Sequence, residues 1–226
     1  MCIEDDIKYF FSSLQYYVSV SRKAREVYSP TVAPLFSVFD YINVNEILLS
    51  RIISDLLNPK GSHGQGSVFL IIFLERLIDL NCILPLDWYS QVEKVTVINE
   101  AYTTFLPNSA RRIDIRIEMP SCFGIGIENK PWTVEQPEQL SDYCAELACR
   151  YKSQFVLVFL SQKGRSPQSI PPEEWQVLKD SGKCATIFYS DNFLDWLLEC
   201  QKMCQSEKIR YFIKDFMKYI QDNFCY

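Results

Sequence analysis

The chain has 226 residues, 48% hydrophobic and 23% charged, with a formal net charge of −5. That balance allows a sizeable core and excludes dominant disorder. It also excludes a protein that coats nucleic acid by charge alone, although a bound cation and a local basic strip would still let an acidic protein meet phosphates.

One domain is expected, with residues 1–40 as a helical extension, 41–190 as the core and 191–226 as C-terminal helices. The opening MCIEDDIKYF is acidic where a secretory signal is basic, and no apolar run has the length of a membrane span. A cytoplasmic protein with no membrane segment is the expectation. Ile7, Phe10, Phe11, Leu14 and Tyr17 recur at helical spacing and predict a helix over 5–27. The Pro-containing stretch SPTVAPLF interrupts it. A second helix is predicted over 45–57, with Ile47, Leu48, Ile52, Leu56 and Leu57 apolar, stopped by Asn58-Pro59. The loop KGSHGQG precedes a third helix over 67–80, whose apolar start reads as buried.

The period then changes. Val92, Val95, Val97 and Ile98 suggest a strand. Ile113, Ile115 and Ile117 alternate with Asp114, Arg116 and Glu118 in a cleaner period of two. The next strand, over 122–130, places Ile125 and Ile127 on one face and Glu128 and Lys130 on the other, after a tight connection at Pro120-Ser121. Helical spacing resumes after Pro131 in Leu140, Tyr143, Cys144 and Leu147. The apolar run FVLVFL over 155–160 suits a sheet interior. A polar loop over 164–172, a short strand over 185–189 and two helices from near Asp191 and Glu207 complete the chain. The order gives an α/β sandwich around a mixed sheet.

The nine cysteines are odd in number and lack a framework spacing, so they read as reduced thiols. Cys200 and Cys204 stand four apart on an expected helix. With His63 the only histidine and no second pair nearby, structural zinc is not expected.

Asp114 is the lone acid centred between isoleucines, and Glu128 and Lys130 project from one face of one strand. If the two strands pair as a hairpin, two carboxylates and an ammonium converge. Two hard oxygen ligands suit Mg²⁺ or Mn²⁺, with the carbonyl of Asn129 or its neighbour as a further ligand. Lys130 would orient or help deprotonate an attacking water while the metal offsets charge on the phosphate. A Glu-x-Lys pair by itself is also what a solvated strand face carries as an ion pair. Asp114 at its interval and the Gln-x-x-Gln pair that follows favour the metal site.

These residues resemble the PD-(D/E)XK nuclease superfamily, the fold of many restriction endonucleases. RRIDIRIE followed by IGIENKPWTVEQPEQLSDYCAEL is similar to one uncharacterised branch of bacteria and phages, and NEILLSRIISDLLNPKGSHGQG is similar to its N-terminal helix and loop. The resemblance covers about residues 45–150 and is weaker beyond. It implies a restriction-endonuclease-like αβββαβ core, a mixed central sheet flanked by helices, with extra N- and C-terminal helices. It implies Asp114 and Glu128 as metal ligands and Lys130 as the catalytic lysine. Glu46 would be the acidic residue of the preceding helix, and Gln136 and Gln139 polar groups near the scissile phosphate. The sequence departs from the branch at Leu49, which stands where a histidine precedes Ser50, and at Ile113, which replaces the motif proline.

Other roles stay open at several positions. Glu46 also suits the first turn of a helix capped by Asn43 or Asn45. His63 reads as a phosphate contact or as a hydrogen-bonded tether of its loop. The loop has neither a triad's geometry nor the Gly-Lys-Ser/Thr ending of a P-loop. Arg111 and Arg112, like Lys163 and Arg165, would grip phosphates or simply solubilise the surface. Trp132, Trp175 and Trp196 read as core or groove-lining. The resulting expectation is a metal-dependent endodeoxyribonuclease acting through a metal-positioned water. The rival is a catalytically weak module of the same fold that binds nucleic acid or protein. A homodimer or a partner protein would be a source of specificity.

Overall fold

In the computed structural model, which describes residues 3–33, 36–106 and 111–225, the chain divides into two units, 1–42 and 43–226. The first unit holds α1 (Ile3–Val32) and a 3-10 turn (Val38–Asp40) capped by the Ser37 hydroxyl. The helix continues past Val27 through the start of the expected connection, of which residues 34 and 35 lie outside the described residues. Its apolar stripe, Ile7, Phe10, Phe11, Leu14 and Tyr17, is exposed.

The second unit begins with α2 (Glu46–Leu57), where the Asn45 side chain accepts from the Leu48 amide at 2.9 Å. That cap satisfies one of the donors a helix start leaves open. Then come α3 (Val68–Asp79) and the short α4 (Trp88–Gln91), followed by a 3-10 turn over Val92–Lys94. Val92 and Val95 are buried but precede the strand expected to contain them, because β1 runs over Thr96–Tyr102. The remaining elements are β2 (Arg112–Met119), β3 (Phe123–Lys130), α5 (Gln139–Arg150), β4 (Phe155–Ser161), α6 (Pro172–Asp180), β5 (Cys184–Phe188), a π-helical turn (Tyr189–Phe193), α7 (Leu194–Met203) and α8 (Glu207–Phe224). Helix α6 was not expected. Among the described residues no helix is long and apolar enough to cross a membrane.

The five strands lie in chain order in one sheet, antiparallel from β1 to β3 and parallel from β3 to β5. This is a mixed α/β architecture with the αβββαβ order of the expected core. The hairpin of β2 and β3 pairs Ile115 with Ile127 and Ile117 with Ile125. The β1–β2 ladder pairs Asn99 with Ile115 and Ala101 with Ile113, skipping the intervening position, where Glu100 takes φ +50°. Ladder breaks of this kind often re-aim a side chain, and Asp114 sits opposite this one.

Every residue of β3 is buried. Gly124 and Gly126 alternate onto the same face as Glu128 and Lys130. A Cβ at Gly124 would lie 1.9 Å from the Tyr151 ring, and one at Gly126 would lie 2.9 Å from Leu147. The two missing side chains let α5 lie directly on the strand. An apolar cluster of Ile113, Leu140, Tyr143, Leu147, Leu157 and Phe159 with their neighbours seals that contact.

Candidate active site

The C-terminal end of β3 lies between α2 and α5. Glu128 is fully buried. Its Oε1 accepts from Lys130 Nζ at 2.5 Å and from Gln139 Nε2 at 2.7 Å. Its Oε2 is buried with no hydrogen-bond partner. Burial first, then the charge of Asp114, push the Glu128 carboxyl well above the usual carboxylate range. Asp114 is raised to about 6 by burial, against the opposing pull of Lys130 and the Asn129 amide. That amide donates to Asp114 Oδ2 at 2.7 Å.

Lys130 is nearly buried and also donates to Glu46 Oε1 at 2.8 Å. Burial lowers its pKa, but the charge of Glu128 and hydrogen bonds to Glu128 and Glu46 outweigh this and hold it above the ordinary lysine value. The side chain is therefore held as a protonated donor toward both glutamates. Glu46 Oε2 accepts from the Thr133 hydroxyl. Glu46 thus joins the first turn of α2 to the strand end and to the segment that follows it.

Gln139, at the first turn of α5, is buried and fully used. Its Nε2 donates to Glu128 and to the Tyr143 hydroxyl at 3.0 Å, and its Oε1 accepts from the Gln136 amide at 3.0 Å. Tyr143 in turn donates to the Arg112 carbonyl at 2.5 Å. Gln136 is exposed, and its side chain accepts from Arg111 Nη1 at 3.2 Å. Arg111 also pairs with Asp142 at 2.5 Å and donates to the Pro137 carbonyl, so it ties β2 to the start of α5. Arg112 is half-exposed, pairs with Glu100 at 3.1 Å and lies over the Tyr102 ring.

His63 is placed differently from a phosphate contact. Its Nε2 lies 2.9 Å from the Asn58 carbonyl and its Nδ1 accepts from the Gln65 amide, with the ring against Phe69. Both nitrogens are engaged within the loop, so the residue is a tether. Arg165 is likewise committed inward. It donates to the carbonyls of Lys130 and Thr133 and lies 3.8 Å from Glu135. Lys163 pairs with Asp191 at the surface. Trp196 is core, donating to the Phe69 carbonyl. Trp132 is partly exposed and stacks on Phe224.

Several contacts of the site carry no local sequence signal. Asn129 is fully buried between the two motif residues. Its Oδ1 accepts from the Tyr189 hydroxyl at 2.6 Å, and its Nδ2 donates to Ser50 Oγ at 3.0 Å. Tyr143, Tyr189, Ser50 and Thr133 reach the motif only through the tertiary fold.

The donor set fits a hard divalent cation. Two interacting carboxylates held out of water, one with a bare oxygen, leave negative charge that only a proton or a cation can compensate. Among the described residues no group of three or more histidine, cysteine or acidic side chains is arranged to hold a metal. Two carboxylates plus main-chain carbonyl, water and phosphate match the way Mg²⁺ is commonly held. The Asn129 side chain is spent on Ser50 and Tyr189, so only its main-chain carbonyl is left for such a role.

Against known proteins, the family model described as the PD-(D/E)XK nuclease superfamily matches residues 36–218, well over half of the chain. No curated protein and no solved structure matches.

Proposed function

This chain belongs to the PD-(D/E)XK nuclease superfamily, and from that premise we propose that it is a divalent-metal-dependent phosphodiesterase cutting DNA at internal bonds. The observation that carries the reading is the pair of adjoining carboxyls, Glu128 fully buried and Asp114 against it, with Lys130 as the ammonium bound to Glu128. Lys130 compensates one of the two carboxylates, and keeping the second charged beside it and largely out of water costs several kcal/mol without a further cation.

Asp114, Glu128 and the Asn129 carbonyl would hold Mg²⁺ or Mn²⁺. When bound, the ion offsets charge building on the phosphate and makes water a stronger nucleophile. Lys130, kept protonated by Glu128 and Glu46, donates a hydrogen bond that orients the attacking water. Gln139 fixes the Glu128 rotamer from the other side. Glu46 positions Lys130 and has no open path to act as a base while it accepts from Lys130 and Thr133. Arg112, half-exposed at the start of the aspartate strand, would meet a phosphate by giving up its pairing with Glu100. Arg111 and Gln136 shape the entrance of α5. No covalent enzyme intermediate is involved.

The test is cleavage of DNA and RNA substrates with Mn²⁺ or Mg²⁺, comparing wild type with Lys130→Ala. Loss of Lys130's donor is expected to lower the rate by about 10²–10³-fold, as removal of a preorganised donor does. Cutting of RNA alone would refute the DNA assignment. A folded wild type that binds Mn²⁺ and cuts neither polymer would make the chain a binding module on this fold.

A further inference from the structure

We propose that Asn129 and Tyr189 are positioning residues for the metal site, and that the last turn of α8 holds them in place through Phe224. The inference rests on the metal site proposed above and assigns roles outside the motif carboxylates and lysine.

Asn129 occupies a strand position where an aliphatic side chain would satisfy the core, yet it is an amide with no exposure. Buried amides persist where every bond is made. Here the bonds run to separate elements. The side chain joins α2 through Ser50, with a longer contact of 3.5 Å to the Glu46 carbonyl, and joins the π-helical turn through Tyr189. The main-chain amide of the same residue holds Asp114 on β2. One residue thus fixes the peptide plane between Glu128 and Lys130 while orienting the other carboxylate.

Tyr189 is itself fully buried. Its ring stacks on Phe224 at 4.4 Å between centroids and 13° between planes. Phe224 stacks in turn on Trp132, two residues beyond Lys130, at 5.5 Å. The final turn of α8 therefore fills the space between the hydroxyl that aims Asn129 and the segment that leaves the catalytic strand. Without that ring, Tyr189 loses the surface that sets its hydroxyl direction, and Asn129 Oδ1 loses its hydrogen-bond donor.

The experiment is Mn²⁺ titration by calorimetry on the full chain without nucleic acid, alongside thermal unfolding in EDTA. Tyr189→Phe keeps the stacked ring and removes only the hydroxyl. It is expected to lower Mn²⁺ affinity on the order of tenfold, as loss of groups that orient metal ligands does, with little change in the metal-free melting temperature. Phe224→Ala is expected to lower affinity in the same direction. In an Asn129→Ala background, Tyr189→Phe should add nothing, because its effect runs through Asn129. Should Tyr189→Phe fail to fold, Ser50→Ala removes another Asn129 partner and is read in the same way. Equal Mn²⁺ affinity in wild type and Tyr189→Phe overturns the positioning role and leaves the metal site standing. Additive losses in the double variant overturn it too, by assigning both effects to general loosening. A wild type that binds no Mn²⁺ removes the metal site and this inference together.

Discussion

Asp114 is a carboxylate held at a cost to the metal-free protein. Burial raises it from its model-peptide value of 3.8 to about 6. The folded state therefore binds a proton between about pH 4 and 6 that the unfolded chain has already released. Asp114's contribution to stability is fully present below that window, is lost as the pH rises through it, and stays lost above it. Asp114→Asn removes the charge and keeps an oxygen able to accept from the Asn129 amide. In EDTA at pH 8 the variant should be more stable than wild type by on the order of 1–2 kcal/mol, allowing for relaxation of the site. Mn²⁺ should no longer raise its melting temperature. Thermal melts across pH 4–8 check this, and a variant as sensitive to pH as wild type would show that Asp114 is not the group responsible. The motif residues themselves were readable in the sequence, because a period of two fixes which side chains share a face. Tyr189 and Ser50 were not, since an aromatic after a strand and a serine in a helix have many uses and only the tertiary fold joins them to Asn129.

Helix α5 and strand β3 act as a pair, and glycine sets their spacing. A methyl at Gly124 would sit inside the Tyr151 ring, which is buried and anchored through its hydroxyl to Glu118 at 2.9 Å. Gly124→Ala should therefore destabilise the protein by about 1–3 kcal/mol, the usual effect of overpacking, and should move Gln139 away from Glu128. Tyr151→Ala would relieve the clash. Denaturant melts of the two single variants and the double variant measure this. Equal destabilisation in both backgrounds would mean that the ring is not what the methyl meets. The same physics explains which elements could be read from sequence. The third strand announces itself through isoleucines flanked by glycines, and β4 through an unbroken apolar run. Helix α6 is hard to read because none of its residues is fully buried and only Trp175 and Leu178 pack against the core, too short an apolar face to set a period. It shows only a proline and two acids at its start, the weaker signature of a helix terminus. Val92 and Val95 misled in the opposite way, since two buried valines resemble a strand although they pack from a turn.

At the scale of the molecule, charge decides how nucleic acid can be held. The net charge is −5, and the cations nearest the motif are occupied internally. Lys130 is bound by two glutamates, Arg111 by Asp142, Arg112 by Glu100, and Arg165 by main-chain carbonyls and Glu135. A phosphate approaching the metal-free site meets the carboxylates of Asp114 and Glu46, which are only partly buried, with the neighbouring cations already paired. Binding should therefore wait for the divalent ion, which reverses the local sign. For Lys130→Ala, chosen so that the DNA survives, duplex affinity in EDTA at 150 mM salt should be no better than the ~1–100 µM range of non-specific contact. Adding Mn²⁺ should tighten it by on the order of tenfold or more. The salt dependence in EDTA should also be shallow, because the slope of log K against log salt counts the phosphates neutralised by protein cations, at roughly 0.9 per contact. Fluorescence anisotropy with a labelled duplex, run with EDTA and with Mn²⁺ over a salt series, gives both quantities. Tight, steeply salt-dependent binding in EDTA would place the grip on a basic surface away from the motif, and the ion would then serve hydrolysis alone.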